Sequence, residues 1–79
     1  MILVTGGAGF IGSNFVLASL AQMDEQILNV DKLTYAGNLN NLTSIAQDTR
    51  HIFVHADICD NEWMLSLLLQ YKPRAIVHF

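Results

Sequence analysis

The sequence predicts an α/β fold, the N-terminal part of a doubly wound parallel sheet of about four strands with intervening helices. Three observations carry that prediction. Short apolar runs alternate with segments of helical period along the whole chain. A cluster of glycines directly follows the first apolar run. The composition is rich in core residues, 52% hydrophobic against 14% charged, too apolar for a disordered chain.

Residues 1–5, Met1-Ile2-Leu3-Val4-Thr5, read as a buried strand. Residues 10–23 read as a helix with Gly12, Val16, Leu20 and Met23 on one stripe. Asp24-Glu25 breaks it, and residues 26–31 form the second strand. Residues 32–37 are a loop, after which Asn38 caps a short helix with Leu39, Leu42 and Ala46 on one side. Residues 51–55, His51-Ile52-Phe53-Val54-His55, are the third strand. Asp60 then caps a helix with Glu62 in its first turn, where a carboxylate suits the dipole. Met64, Leu67, Leu68 and Tyr71 are expected to face inward, and Trp63 and the leucines after it to belong to the core. Lys72-Pro73 ends the helix, and residues 74–79 begin a fourth strand. Strands joined by helical crossovers imply parallel pairing with right-handed connections. Parallel strands are normally covered on both faces. A chain whose last segment is a strand is therefore expected to be the N-terminal piece of a longer protein, with residues 1–79 forming one portion of a nucleotide-binding domain.

Length and charge exclude several classes. A chain of 79 residues is one small domain at most, and at this size only about 60% or slightly more of the unfolded surface is hidden. A formal charge of −3 gives no electrostatic support for nucleic-acid binding. The apolar runs are far shorter than the ~20 residues of a membrane span. The opening residues lack the charged start and cleavage site of a secretory leader. Cys59 is the single cysteine, so no disulfide framework exists, and a reducing, cytoplasmic setting is expected.

The chemistry begins at Thr5-Gly6-Gly7-Ala8-Gly9-Phe10-Ile11-Gly12, where the first strand turns into the first helix. Such a turn gathers backbone N–H groups and a helix N-terminus at one point, a ready site for a pyrophosphate. Gly6 permits the tight turn, Gly9 the close approach of backbone to phosphate, and Gly12 the close packing of helix on strand. The spacing G-x-x-G-x-x-G is one residue wider at its start than the usual dinucleotide fingerprint. Asp31 ends the second strand, nineteen residues beyond Gly12, where a carboxylate can accept hydrogen bonds from an adenosine ribose. A carboxylate there favours NAD because it repels a 2′-phosphate, yet the adjacent Lys32 is a cation that could serve NADP. The other reading makes Asp31 a solvated turn residue, and the glycines upstream favour the ribose. Asp57 and Ile58 follow the third strand, where the carboxylate could take the adenine amino group and Ile58 pack on the ring. An ordinary strand-to-helix turn with caps fits the same residues equally well.

Other residues point to structure rather than chemistry. His51 and His55 lie four apart in a strand, which is no metal motif, and no third ligand is near in sequence. Acidic neighbours disfavour a thiolate at Cys59, which reads as structural. Neither Tyr35 nor Tyr71 has a lysine four residues on, so no nucleophile–base pairing can be assembled and no catalytic residue is assigned.

With Gly6, Gly9, Gly12, Asp31 and Asp57-Ile58 on one chain, the sequence resembles the extended short-chain dehydrogenase/reductase superfamily. The runs Val30-Asp31-Lys32-Leu33-Thr34-Tyr35-Ala36-Gly37-Asn38-Leu39 and His55-Ala56-Asp57-Ile58-Cys59-Asp60 look like segments of its dTDP-glucose 4,6-dehydratases. That resemblance implies a Rossmann fold binding NAD, of which this chain would be about the first quarter. It implies that Phe10 and Ile11 lie over the pyrophosphate and that Asp31, Lys32, Leu33 and Thr34 surround the adenosine ribose. Asp57 and Ile58 would bind adenine, and Phe79 would begin a loop running toward the nicotinamide. It further implies a lyase of deoxysugar biosynthesis, with dTDP-glucose oxidised at C4, water lost across C5 and C6, and hydride returned to C6. The complete enzyme would be a homodimer, and its Thr-Asp-Glu triplet and Tyr-x-x-x-Lys pair would lie beyond residue 79. The 79-residue chain alone is therefore expected to be inactive. A related enzyme acting on another nucleotide sugar, such as an epimerase, and a non-catalytic truncated NAD-binding protein are the alternatives.

Overall fold

A computed structural model describes residues 1–33 and 39–79. Its elements are β1 (Ile2–Thr5), α1 (Phe10–Gln22), β2 (Ile27–Asp31), a 3-10 helix (Leu39–Ile45), β3 (His51–His55), α2 (Asn61–Tyr71) and β4 (Ala75–His78). The four strands form one sheet in the order β3-β2-β1-β4, and every pairing is parallel. Ile2 lies opposite Ile27 on one side and Ala75 on the other, and Ile27 opposite His51. The predicted fold class is borne out.

The burial of each strand follows from its place in the sheet. Every residue of the central strands β1 and β2 is buried, whereas edge strands β3 and β4 are only partly covered. On one face Ile2, Val4 and Ile27 pack against Val16 and Leu20 of α1 and against Leu42 and Ile45 of the 3-10 helix. On the other face Leu3, Leu28 and Val30 pack against Leu67 of α2, with Met64, Leu68 and Tyr71 alongside. Each fully buried aliphatic side chain is worth about 1.5–3 kcal/mol relative to exposure. Alternation along β1 and β2 is thus what pins two layers to one sheet.

Helix ends form as local chemistry dictates. Asp60 caps α2 through its side chain, which accepts a hydrogen bond from Trp63 N at 3.1 Å, with Glu62 in the first turn. Lys72 closes α2 in the left-handed region at φ 48°, before Pro73. Three expectations need correction. The connection between β2 and β3 is a 3-10 helix that buries Leu42 and Ile45, three residues apart, while Leu39 and Ala46 are exposed; the expected cap, Asn38, lies outside the described residues. Trp63, Leu65 and Leu69 are exposed rather than core, because the stripe of α2 through Met64, Leu67, Leu68 and Tyr71 already covers the sheet. Met23 is exposed too, just past the end of α1. Among the described residues no helix is long and apolar enough to cross a membrane.

Candidate functional site

Strand order reverses at β1: β2 and β3 follow on one side, and β4 is inserted on the other. Open parallel sheets bind ligands at such a switch point, outside the C-terminal ends of the strands. A cleft of about 180 Å³ lies there, and all four strand ends contribute to it. Thr5 and Gly6 come from β1, Asp31 and Lys32 from β2, Asp57 and Ile58 from beyond β3, and His78 and Phe79 from β4. Of the sequence-predicted residues, Gly6, Asp31, Lys32, Asp57 and Ile58 therefore meet at one place.

The glycine turn forms the floor. Gly6 has φ +75°, a left-handed conformation that glycine adopts without penalty, while its N–H still donates to Val30 O at 2.9 Å. Gly12 does pack closely, but on the turn rather than on the strand as expected: a Cβ there would fall 2.2 Å from Gly6 O and 2.9 Å from Gly7 Cα. The N-terminus of α1 has no side-chain cap and no acidic residue in its first turn. The helical ladder starts with Ser13 N donating to Gly9 O at 2.9 Å, so the amides of Phe10, Ile11 and Gly12 precede it. Helix α2, by contrast, supplies its own carboxylate cap. An uncapped N-terminus beside a glycine turn suits an anion. Phe10 and Ile11 stand 77% and 70% exposed over it, outside the lining of the cleft.

Asp31 does more than end a strand. It is only 8% exposed, and its Oδ2 accepts from Ala8 N at 2.8 Å while Oδ1 accepts from Leu33 N at 2.7 Å. It is thus neither solvated nor a bare ribose acceptor: it ties the glycine turn to β2. Leu33 reaches Asp31 by taking φ 58°, and its side chain turns away to pack against the α1 face. Thr34 lies outside the described residues. The Ala8 peptide is held on its other side as well, because Asn41 Nδ2 donates to Ala8 O at 2.9 Å.

Two further supports escaped the sequence reading. Asn29, fully buried, sits beneath Gly7, where an added Cβ would lie 2.2 Å from Asn29 Oδ1. Its Nδ2 donates to His51 Nε2 at 3.2 Å, and burial lowers the pKa of His51, as an accepting, neutral imidazole requires. The signal was present in the sequence: Asn29 is the polar interruption of an otherwise apolar strand run. At the far side of the cleft, Thr5 Oγ1 pairs with His78 Nδ1. Phe79 N donates to Thr5 O at 2.9 Å, and its ring leans on Phe15 with centroids 5.5 Å apart.

Asp57 is charged and engaged. Its Oδ1 accepts from Cys59 N at 2.9 Å, and Lys32 Nζ lies 3.1 Å from Oδ2. The Cys59 amide and then the Lys32 ammonium hold its carboxyl below the ordinary range. His55 Nε2 donates to Lys32 O at 2.9 Å, anchoring the lysine backbone. Cys59 itself is an exposed thiol whose amide, not its sulfur, serves the turn.

Residues 3–79 match the family described as GDP-mannose 4,6 dehydratase. Over 77 residues the chain is 48% identical to the dTDP-glucose 4,6-dehydratase of Salmonella typhimurium, covering 98% of this chain and 21% of that protein. The crystal structure of dTDP-glucose 4,6-dehydratase from Bacillus anthracis in complex with NAD superposes with a TM-score of 0.93 at 46% identity, covering 99% of this chain and 25% of that one. The UDP-Glc/GlcNAc 4-epimerase of Campylobacter jejuni superposes with a TM-score of 0.88 at 33% identity, covering 99% and 23%. The chain thus spans about one fifth of the length of the curated relatives it matches.

Proposed function

The chain belongs to the GDP-mannose 4,6 dehydratase family, and from that premise we propose that it forms the NAD-binding N-terminal portion of a dTDP-glucose 4,6-dehydratase. The observation that carries the nucleotide is the convergence of an uncapped α1 N-terminus, the glycine turn and Asp31 at the switch point of the sheet. Higher identity to the dTDP-glucose enzymes than to the epimerase supports the substrate. Coverage of about a fifth of those relatives supports reading residues 1–79 as one part of a larger Rossmann domain, with a substrate domain elsewhere.

The residues present suit such a cofactor. Gly6, Gly9 and Gly12 keep the turn free of side chains, and the amides of Phe10, Ile11 and Gly12 offer donors to a pyrophosphate. Asp31 keeps acceptor capacity for ribose hydroxyls, because each carboxylate oxygen can take a second hydrogen bond. Lys32 and the Leu33 backbone complete that edge, and Asp57 and Ile58 frame the adenine. When bound, NAD supplies a hydride acceptor at sugar C4 and a donor at C6, so that dTDP-glucose loses one water and becomes dTDP-4-dehydro-6-deoxy-glucose. A cytoplasmic location and a homodimeric complete enzyme belong to the same proposal.

The test uses the protein expressed from its native reading frame. Titration with NADH should show saturable binding, and incubation with NAD and dTDP-glucose should yield a sugar nucleotide lighter by one water. Absence of nucleotide binding would remove the cofactor assignment. Binding with the sugar returned unchanged, or returned as its C4 epimer, would remove the dehydratase assignment.

A further inference from the structure

Lys32 sits beside the residue assigned to the adenosine ribose, where a free ammonium would welcome a 2′-phosphate as a point-charge partner. It is not free. Its Nζ lies 3.1 Å from Asp57 Oδ2, so the side chain crosses the cleft from β2 to the turn after β3, while His55 holds the Lys32 carbonyl. Asp31, Lys32 and Asp57 line the same cleft, and together they carry one net negative charge.

Resting on the NAD assignment above, we propose that Asp57 is a specificity-determining residue acting through Lys32. It draws the ammonium to the adenine side of the cleft and neutralises it, so the site offers no cation to a 2′-phosphate and selects NAD over NADP. Asp31 alone would repel the phosphate, but an unpaired Lys32 next to it would cancel that repulsion. The Lys32–Asp57 pair leaves the Asp31 charge uncompensated. The pair is accessible, with side chains 61% and 38% exposed, so the lysine stem has room to swing once its partner is removed.

The test is a double-mutant cycle on the full protein: wild type, Asp57→Asn, Lys32→Ala and both together. Dissociation constants for NADH and NADPH are read from nicotinamide fluorescence at low, fixed ionic strength. Both nucleotides share the adenine, so any loss of adenine contact cancels in their ratio. Asp57→Asn keeps an acceptor for the Cys59 amide and should lower the preference for NADH about fivefold, the upper end for an exposed ion pair. With Lys32 already replaced by Ala, the same substitution should change the preference much less. Added salt should shrink the difference. Should the Asn variant lose its fold, Asp57→Ser retains an acceptor for the same turn and should give the same shift. An unchanged ratio overturns the inference. So does an equal shift with and without Lys32, which would mean that Asp57 acts on the phosphate directly. If neither nucleotide binds any of the four proteins, the NAD assignment itself fails and this inference with it.

Discussion

Replacing Gly7 by Ala isolates one contact that organises the turn. Gly7 is not held at positive φ, so the backbone itself does not demand glycine there. What an added methyl meets is Asn29, at 2.2 Å from Oδ1, 2.6 Å from Cγ and 2.7 Å from Nδ2. Asn29 is 0% exposed and has no open direction in which to retreat. To make room it must leave its rotamer, at roughly 1 kcal/mol, and release His51, at about another 1 kcal/mol. Gly7→Ala should therefore destabilise the fold by about 2 kcal/mol, within the usual range for overpacking. Asn29→Ala removes the obstacle. That change forfeits the His51 bond, but it also removes Asn29 Oδ1, a buried acceptor without a partner, so its own cost should be only about 1 kcal/mol. In that background Gly7→Ala should be neutral or slightly stabilising, by up to about 1 kcal/mol through the stiffer unfolded chain.

Urea unfolding of the four proteins then yields the coupling energy, expected at about 2 kcal/mol or slightly more. Gly12→Ala serves as the control. Its methyl would meet backbone, Gly6 O at 2.2 Å, so no side-chain deletion should rescue it, and Asn29→Ala in particular should not. If Gly7→Ala costs the same with and without Asn29 to within about 0.5 kcal/mol, the account of this contact is wrong.

Two other outcomes follow from the same geometry. Asp60→Ala removes the acceptor for Trp63 N and should destabilise α2 by about 1 kcal/mol, read from the urea midpoint; an unmoved midpoint would remove the cap assignment. Acid should also weaken the fold. The Arg74 guanidinium, with the chain N-terminus, holds Glu25 down at about 2 from an ordinary 4.5, and Arg50 holds Asp48 at about 2 from 3.8. Both carboxylates bind protons more readily unfolded, so their contribution is complete above 4.5 and disappears as pH falls toward 2. His51, lowered from 6.5 by burial, acts in the same direction, because protonation removes the acceptor that Asn29 uses. The urea midpoint should thus decline gradually below pH 6.5 and more steeply below 4.5, and Arg74→Ala should flatten the lower part. A midpoint that rises on acidification would contradict the pairing.

The pattern of successes and misses has a physical origin. Strands, helices and the cap at Asp60 were legible because they depend on neighbours within a few residues, where spacing and side-chain type suffice. The glycine turn was legible for the same reason. Asp31 was found, but its environment was not. A parallel crossover brings Ala8 and Asp31 together across 23 positions and Ala8 and Asn41 across 33, and no local pattern encodes such a meeting. Lys32 shows the consequence most sharply. In sequence it is a cation beside a carboxylate proposed to bind ribose, which leaves NADP a competitor to the favoured NAD. Only the sheet order β3-β2-β1-β4 sets the end of β3 beside the end of β2 and gives the lysine Asp57 as its partner. On α2 periodicity picked the inward face correctly, Met64, Leu67, Leu68 and Tyr71. Assigning Trp63 and every following leucine to the core ignored that period, and Trp63, Leu65 and Leu69 lie off the face the sheet covers. Asn29 is the instructive intermediate, since a polar residue inside an apolar strand run signals a buried partner without saying which. What it supports is the Gly7 peptide above it, so β2 holds the glycine turn from below with Asn29 and from its end with Asp31, two residues apart on one face of the strand.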